Sequence, residues 1–182
     1  MNINYVNASD LVIPAWKATH ILRPDLLVLS ASLLQHGFIQ PVHIRAETME
    51  LIDGSERVLL AQNVSAINKK TKGLVPVIEH DCDSIDAMML HLRLNRGRSS
   101  LVAKKVSSIT RKLNMSGRYS RRDFDDLLCM KTDEFDLMIS GDLLKARKIS
   151  EHTYSRAWVP IEAPAGTIEE EPLIERPPNA DR

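Results

Sequence analysis

The stretch "LIDGSER", residues 51–57, places an acid, a glycine and a Glu-Arg pair where a strand pattern changes to a helical one. The first N–H groups of a helix have no partner within the helix and lie at the positive end of its dipole, so such a corner suits an anion. Arg57 opposes that dipole, and an anion shared with the backbone would relieve the conflict. The corner therefore predicts a phosphate-binding site, and pairing of Arg57 with a carboxylate is the alternative interpretation.

Two more cations follow a second predicted helix end. Arg96 and Arg98 come directly after Asn95, where an amphipathic pattern stops. Arginine binds phosphate oxygens in a bidentate manner, so several arginines at one corner favour a phosphate ligand. We expect Arg96 and Arg98 to converge on the corner that holds Arg57.

The elements that must position this corner follow from hydrophobic periodicity. Leucines at helical spacing predict a helix that begins near Pro24 and ends at Gly37. Alternation of Val42 and Ile44 with polar residues, and a second short apolar run that ends at Asp53, predict two paired strands. The corner is therefore expected to follow directly on a hairpin.

Further elements alternate on either side of this hairpin. Residues 6–14 read as an edge strand or extended entry segment, and residues 74–79 as a strand. A dense apolar run after Gly54 predicts a buried helix from Ser55, and residues 84–95 predict another helix. Strands that alternate with helices predict a small α+β domain over residues 1–98.

Three short motifs in this region resemble those of a known superfamily. "GFIQPVHIR" (residues 37–45), "DGSER" (residues 53–57) and "LNRGR" (residues 94–98) are similar to the ordered GxxQPxxVR, GERR and ENxQR boxes of the ParB/sulfiredoxin superfamily. The resemblance implies a small mixed sheet with helices and a pocket for nucleotide phosphates. The ligand in the superfamily is CTP in chromosome-segregation members and an adenine nucleotide in related kinases.

The resemblance assigns nucleotide- or phosphate-binding residues by position. They are Gln40, Pro41, Gly54, Ser55, Arg57, Asn95, Arg96 and Arg98. Ser55 and Leu94 stand where the superfamily has glutamates that help to hold Mg²⁺, and a hard cation needs oxygen ligands that leucine lacks. Nucleotide binding with CTP or ATP is therefore expected, whereas a role for Mg²⁺ is in doubt and no metal site is predicted.

Two enzymatic branches of the superfamily carry different residues at the corner that holds Ser55 and Glu56. Sulfiredoxin needs a cysteine where this chain has Ser55, so its thiolate nucleophile is missing. The serine-kinase branch has histidines after the glycine, and Glu56 could replace one of them as a base. Weak NTPase, kinase or nuclease activity with Glu56 as the catalytic residue is thus an alternative.

The charge of the chain is segregated although its net value is zero. Residues 91–122 hold ten Lys and Arg and no Asp or Glu. Such a concentration of positive charge attracts polyanions such as DNA, and pairing with the acidic C-terminal third is the alternative. The candidate nucleic-acid-binding residues are Lys104, Lys105, Arg111, Lys112, Arg118, Arg121 and Arg122.

The basic residues belong to a predicted helical region, residues 99–150. A helix capped by Ser99 or Ser100 would turn Val102 and the later apolar positions inward. A helix capped by Ser120, a turn and a second helix then give a helix-turn-helix-like layout. The second helix is acidic, so the preceding basic helix is favoured as the DNA contact. Residues 151–182 read as a tail that packs at first and is then disordered.

Composition excludes several other classes of protein. The chain has 182 residues and no apolar run near the roughly 18 that a membrane span needs, and its first residues do not form a signal peptide, so a cytoplasmic location is expected. Its two cysteines form no CxxC motif, so neither a zinc site nor a disulfide framework is indicated.

Together these features predict a ParB-like nucleotide- or phosphate-binding protein that associates with DNA. A phage or mobile-element regulator or a segregation-type factor fits this description, and a homodimer would be expected of a ParB-type switch. The first alternative is a catalytically silent interaction module that binds a host or phage protein through its acidic second half. The second is a phosphotransferase or nuclease of the same superfamily.

Overall fold

A computed structural model describes residues 2–140 as two strand groups and seven helices. In chain order the elements are β1 (Asn4–Asn7), a short 3₁₀ helix (Ala8–Asp10), β2 (Thr19–His20), α1 (Arg23–His36), β3 (Val42–Arg45), β4 (Leu51–Asp53), α2 (Ser55–Asn63), α3 (Ser65–Thr71), β5 (Leu74–His80), α4 (Ser84–Asn95), β6 (Ser100–Leu101), α5 (Ala103–Met115), α6 (Arg121–Leu128) and α7 (Thr132–Ser140). The predicted tail, residues 151–182, and residues 141–150 lie outside the described residues.

A four-stranded mixed sheet forms the framework, in the order β1-β5-β3-β4. β3 runs parallel to β5, whereas β1 and β4 pair antiparallel with their neighbours. The antiparallel β3–β4 pair is the predicted hairpin, and His43 lies opposite Asp53 in it. The α+β fold class is therefore confirmed.

One face of this sheet is covered by the first three helices. Val42 and Ile44 of β3 and Val75 and Val77 of β5 are fully buried, as their alternation along the strands requires. They form one core with apolar residues of α1, α2 and α3. Burial of a side chain of this size stabilises the fold by roughly 1.5–3 kcal/mol, so this core holds the strand-helix corner in place.

A second core lies between α4 and the helices that follow it. Met88, Met89 and Leu92 of α4 pack with Leu113 of α5 and Phe124 of α6. Residues on both sides of position 98 therefore share one apolar core. The domain boundary at that position stays a prediction.

The start of α5 differs from the prediction. Ser99 and Ser100 do not cap a helix, because Ser100 and Leu101 form β6 and pair antiparallel with β2. α5 begins at Ala103, after the Val102 N–H has donated to the carbonyl of Ala18. The side chain of Val102 is consequently 41% exposed rather than inward.

Other helix boundaries match their sequence signals. α1 has a proline in its first turn and ends at Gly37, which has a φ of 74°. Ser120 and Asp123 form a reciprocal capping box at the start of α6. α6 and α7 are separated by three residues, with Cys129 in a left-handed conformation. The assignment of this pair as a DNA-binding helix-turn-helix stays a prediction.

Gly54 joins β4 to α2 with a φ of 92°, a conformation that L side chains rarely adopt. A Cβ atom at this position would lie 2.6 Å from Cγ1 of Val42 and 2.8 Å from Nη2 of Arg57. Both the backbone conformation and the lack of space therefore require glycine. This close approach sets α2 directly against β3.

His91 is the buried polar link between three elements. Its Nδ1 lies 2.7 Å from the carbonyl of Ile52, and its Nε2 lies 3.1 Å from the backbone N–H of Ala18. Nδ1 must therefore donate to β4 while Nε2 accepts from the segment before β2, which fixes a neutral tautomer. Burial lowers the pKa of His91, although the Ile52 hydrogen bond and Asp53 oppose the shift.

We predict that Gly54→Ala destabilises the protein by roughly 2–4 kcal/mol, because the new Cβ is strained by a positive φ and collides with Val42. Urea denaturation gives the free energy of unfolding. Gly97→Ala is the matched control, since its Cβ would meet no atom within 4 Å. Equal stability of the two variants would contradict the assigned role of Gly54.

We also predict that the free energy of unfolding falls as the pH drops below about 6.5. The lowered pKa of His91 keeps it neutral in the folded protein, whereas His91 of the unfolded chain binds a proton in this range. Burial and the neighbouring His80 lower the pKa of His43 as well, so it contributes in the same direction. Denaturation at pH 7.5 and 5.5 should show a smaller pH effect in His91→Gln than in the wild type. His36→Gln, which removes an exposed histidine, should retain the wild-type effect. An unchanged pH effect in His91→Gln would refute the neutral buried state.

Candidate functional site

A cleft of about 490 Å³ opens where the β4–α2 corner faces the start of α1 and the turn between α4 and β6. Five of the eight predicted phosphate-binding residues line it: Gln40, Gly54, Arg57, Asn95 and Arg98. These residues come from separate parts of the sequence, as the three motifs do. The fold therefore brings most of the predicted set to one concave surface.

Two arginines in this cleft share a single carboxylate. Nη2 of Arg98 lies 3.3 Å and Nη2 of Arg57 lies 3.6 Å from Oδ2 of Asp53. Asp53 and Arg57 have side chains only 12% and 15% exposed, whereas that of Arg98 is 55% exposed. The predicted alternative, pairing of Arg57 with a carboxylate, thus holds, and of the two arginines expected to converge on the corner Arg98 does so. One positive charge in the trio stays uncompensated by Asp53.

Backbone carbonyls orient both guanidinium groups. Nη1 of Arg57 donates to the carbonyl of Gln40 at 3.0 Å, and Nε of Arg98 donates to the carbonyl of Leu94 at 2.6 Å. Burial lowers the pKa of Arg57, Asp53 opposes the shift and Arg98 adds to it. Arginine stays charged in proteins, so a largely buried guanidinium beside a second one favours an additional anion.

The N-terminus of α2 completes the positive side of the cleft. Gly54 is its N-cap, and no side chain caps the helix. The N–H groups of the first turn therefore have no side-chain partner and lie at the positive end of the helix dipole. Together with Arg57 and Arg98 they can bind an anion with several oxygen atoms.

Glu56, the candidate base, also lines the cleft. Its Oε1 is 2.5 Å from Nζ of Lys17 and accepts a hydrogen bond from Oγ1 of Thr19 at 3.3 Å. The carboxylate is therefore engaged by an ammonium group and a hydroxyl from the segment around β2. A catalytic role for Glu56 stays a prediction.

Asn95 is buried and directs the turn that carries Arg98. Its Nδ2 donates to the carbonyl of His91 at 3.0 Å, and its Oδ1 accepts from Oγ of Ser99 at 3.1 Å. The backbone N–H groups of Arg98 and Ser99 both donate to the Asn95 carbonyl. Within the described residues Asn95 acts mainly as a hydrogen-bonding support for the turn.

Three predicted phosphate-binding residues lie outside the lining of the cleft. Ser55 is buried, and Pro41 is partly buried beside the corner. Arg96 instead binds Glu134 through both Nη atoms, at 3.0 and 2.6 Å, and so connects the end of α4 to α7. Of the three predicted arginines, Arg57 and Arg98 therefore line the cleft.

Several lining residues were not anticipated from the sequence. They include Thr19, His20, Asp25, Ser99 and Ser100. Pairing of β2 with β6 places His20 opposite Ser100, and no periodicity signals a strand of two residues. His91 was missed for a different reason, because a single histidine on an apolar helix face carries no distinctive signal.

The basic residues of the helical region separate into two groups. Lys104, Arg111 and Lys112 are exposed on α5 at spacings of seven and eight residues, which places them on one face. None of these three side chains forms an ion pair with any of residues 2–140. We refer to Lys104, Arg111 and Lys112 as the α5 basic face.

The other four predicted DNA-binding residues have partners within the protein. Lys105 donates to the carbonyl of Ala15 at 2.6 Å. The three arginines form ion pairs: Arg118 with Asp83 and Asp86, Arg121 with Asp136, and Arg122 with Asp126. Pairing with the acidic C-terminal third, the predicted alternative, is thus present for Arg121 and Arg122, whereas Arg118 pairs with acids that precede the basic segment.

Residues 2–140 contain neither a cluster of potential metal ligands nor a helix suited to a membrane. In that part of the chain no group of three or more His, Cys, Asp or Glu side chains is placed to hold a metal ion. None of the described helices combines the length and the apolar character that crossing a membrane requires.

Comparisons with known proteins give one sequence relative and several structures. No protein-family model matches the chain. Uncharacterized protein YbdM of Escherichia coli (strain K12) is 26% identical over 164 residues, which cover 85% of this chain and 74% of the relative.

Several structural neighbours are ParB proteins. C-terminally truncated chromosome-partitioning protein ParB from Caulobacter crescentus complexed with CTP-gamma-S aligns with a TM-score of 0.44 and 16% identity, over 84% of this chain and 94% of that chain. The form complexed to the centromeric parS site aligns with a TM-score of 0.49 and 13% identity, over 81% of this chain and 78% of that chain. The Pnob8-like ParB-N domain aligns with a TM-score of 0.48 and 18% identity, over 81% of this chain and 63% of that chain. This chain therefore spans less than two thirds of the length of that structure. The chain is thus similar to ParB N-domain structures, the proteins that its three motifs resemble.

Proposed function

We propose that this protein binds the phosphate groups of a nucleoside triphosphate, CTP or ATP, in the cleft and associates with duplex DNA through the α5 basic face. The observation that carries the proposal is the convergence of Arg57 and Arg98 beside the uncapped start of α2. A volume of about 490 Å³ lies within the range of ordinary small-molecule sites.

The phosphate chain is proposed to extend from the arginines to the first turn of α2. Gly54 lines the cleft, and its positive φ allows α2 to begin directly after β4. Gln40 holds Arg57 from the opposite side through its carbonyl. Pro41 and Ser55 then support the corner, and Asn95 supports the turn. Titration with Mg²⁺ and with EDTA tests whether the metal ion is required.

The DNA-binding part of the proposal rests on exposed charge. Cations that are already paired with carboxylates gain little from a phosphate, whereas the α5 basic face offers three charges on one surface. α5 also begins directly after β6, whose Ser100 lines the cleft. A ligand in the cleft would therefore lie close to the start of the DNA-binding helix.

Such a protein fits a DNA-associated regulator or segregation-type factor of a phage or mobile element, acting in the cytoplasm as a homodimer. The weak enzymatic activity predicted as an alternative would use Glu56, which lies in the same cleft. A protein-interaction module is the competing function, and the titration below distinguishes it.

We predict that calorimetric titration detects binding of CTP or ATP to the wild type and none to Arg57→Ala, because the variant loses a largely buried cation of the cleft. The titration is made with Mg²⁺ and with EDTA, and with and without duplex DNA. Arg93→Ala is the control, since Arg93 is an exposed arginine outside the cleft. Binding of neither CTP, ATP, GTP nor ADP would reject the nucleotide site and favour the interaction module. Wild-type affinity of Arg57→Ala would refute the location of the site.

We predict that the triple variant Lys104→Gln, Arg111→Gln, Lys112→Gln loses most DNA affinity, measured by fluorescence anisotropy at several salt concentrations. Each lost phosphate contact reduces the slope of log affinity against log salt by about 0.9, so the slope should fall by roughly 3. The control removes the same number of charges at paired positions: Arg118→Gln, Arg121→Gln, Arg122→Gln. A larger loss in the control than in the first variant would overturn the assignment to α5.

A further inference from the structure

Asp53 already occupies the position between the two arginines of the cleft. It is the last residue of β4, and its Oδ2 atom is the shared partner of Arg57 and Arg98. No other carboxylate of residues 2–140 forms an ion pair with either arginine. An incoming anion would therefore meet two arginines that are already paired with Asp53.

The two other acids of the cleft are placed differently. Glu56 is paired with Lys17, and Asp25, in the first turn of α1, forms no ion pair with any described residue. Neither of them forms an ion pair with Arg57 or Arg98. Asp53 is thus distinguished by its contacts and not by its residue type.

The two arginines differ in freedom of movement. Arg57 is 15% exposed and its guanidinium donates to the carbonyl of Gln40, so its position is fixed. Arg98 is 55% exposed, and its hydrogen bond to the carbonyl of Leu94 uses Nε, so its Nη2 atom can change partners while that bond is kept. The Arg98–Asp53 contact is therefore the one that can open without disturbing the corner.

We propose that Asp53 is an internal counter-anion which a ligand must displace from Arg98, and that it makes the cleft selective for chains of two or more phosphate groups. This inference rests on the proposed function of the cleft. It concerns which anions bind there.

The selectivity follows from the exchange of partners. A single phosphate group replaces the carboxylate at Arg98 but is repelled by Asp53, which stays nearby with its charge less compensated. A longer chain keeps the contact with Arg98 and also reaches the N–H groups at the start of α2, which Asp53 does not use. Its additional contacts offset the loss of the Asp53–Arg98 pair.

The test is calorimetric titration of the full chain with sodium phosphate, pyrophosphate and tripolyphosphate. Asp53→Asn keeps the shape of the side chain and removes its charge. We expect the wild type to bind tripolyphosphate far more tightly than phosphate. In Asp53→Asn the affinity for phosphate should rise roughly tenfold, and by more than the affinity for tripolyphosphate, so that the ratio of the two shrinks.

Asp25→Asn is the matched control, because it removes one negative charge from the same cleft without releasing an arginine. It should change all three affinities by a similar small factor and preserve their ratio. An equal effect of the two variants would show that Asp53 acts only through overall charge and would overturn the inference.

Two further outcomes separate this inference from the proposed function. Failure of the wild type to bind pyrophosphate and tripolyphosphate would overturn both. Binding of tripolyphosphate with an unchanged ratio in Asp53→Asn would overturn the inference alone. If Asp53→Asn does not fold, the wild-type series keeps the inference falsifiable, because equal affinities for phosphate and pyrophosphate overturn it.

Discussion

The contact between the backbone of Gly54 and the side chain of Val42 determines the geometry on which the cleft depends. It brings the first turn of α2 against β3 without an intervening side chain, while Val42 is held in the core beneath α1–α3. Because α2 begins there, Arg57 lies within reach of both Asp53 and the carbonyl of Gln40. A steric constraint in the fold thereby becomes an electrostatic property of the surface.

The opposite side of the cleft depends on buried polar groups. His91 joins α4 to β4 and to the segment before β2, and Asn95, one turn later, holds the turn that carries Arg98. Polar side chains are stable in such positions only when their hydrogen bonds are made, so this side has little freedom to rearrange. The two walls of the cleft are therefore fixed by different forces, apolar packing on one side and hydrogen bonding on the other.

The sequence predicted the features that have local signals and missed those that depend on distant pairing. The β3–β4 hairpin, the start of α2 at Ser55 and the cap at Ser120 follow from alternation, glycine position and capping chemistry. The β2–β6 pair joins segments about eighty residues apart and replaces the predicted cap at Ser100. The motifs indicated Arg57 and Arg98, whereas the contact of Arg96 with Glu134 could not be foreseen from spacing alone.

The β2–β6 pair has a consequence for the mechanics of the molecule. Each of its strands has two residues, so few backbone hydrogen bonds hold it, and it stands apart from the four-stranded sheet. Short elements of this kind open locally at a lower free energy than packed cores do. The edge of the cleft formed by His20 and Ser100 is thus the compliant part of an otherwise stiff framework.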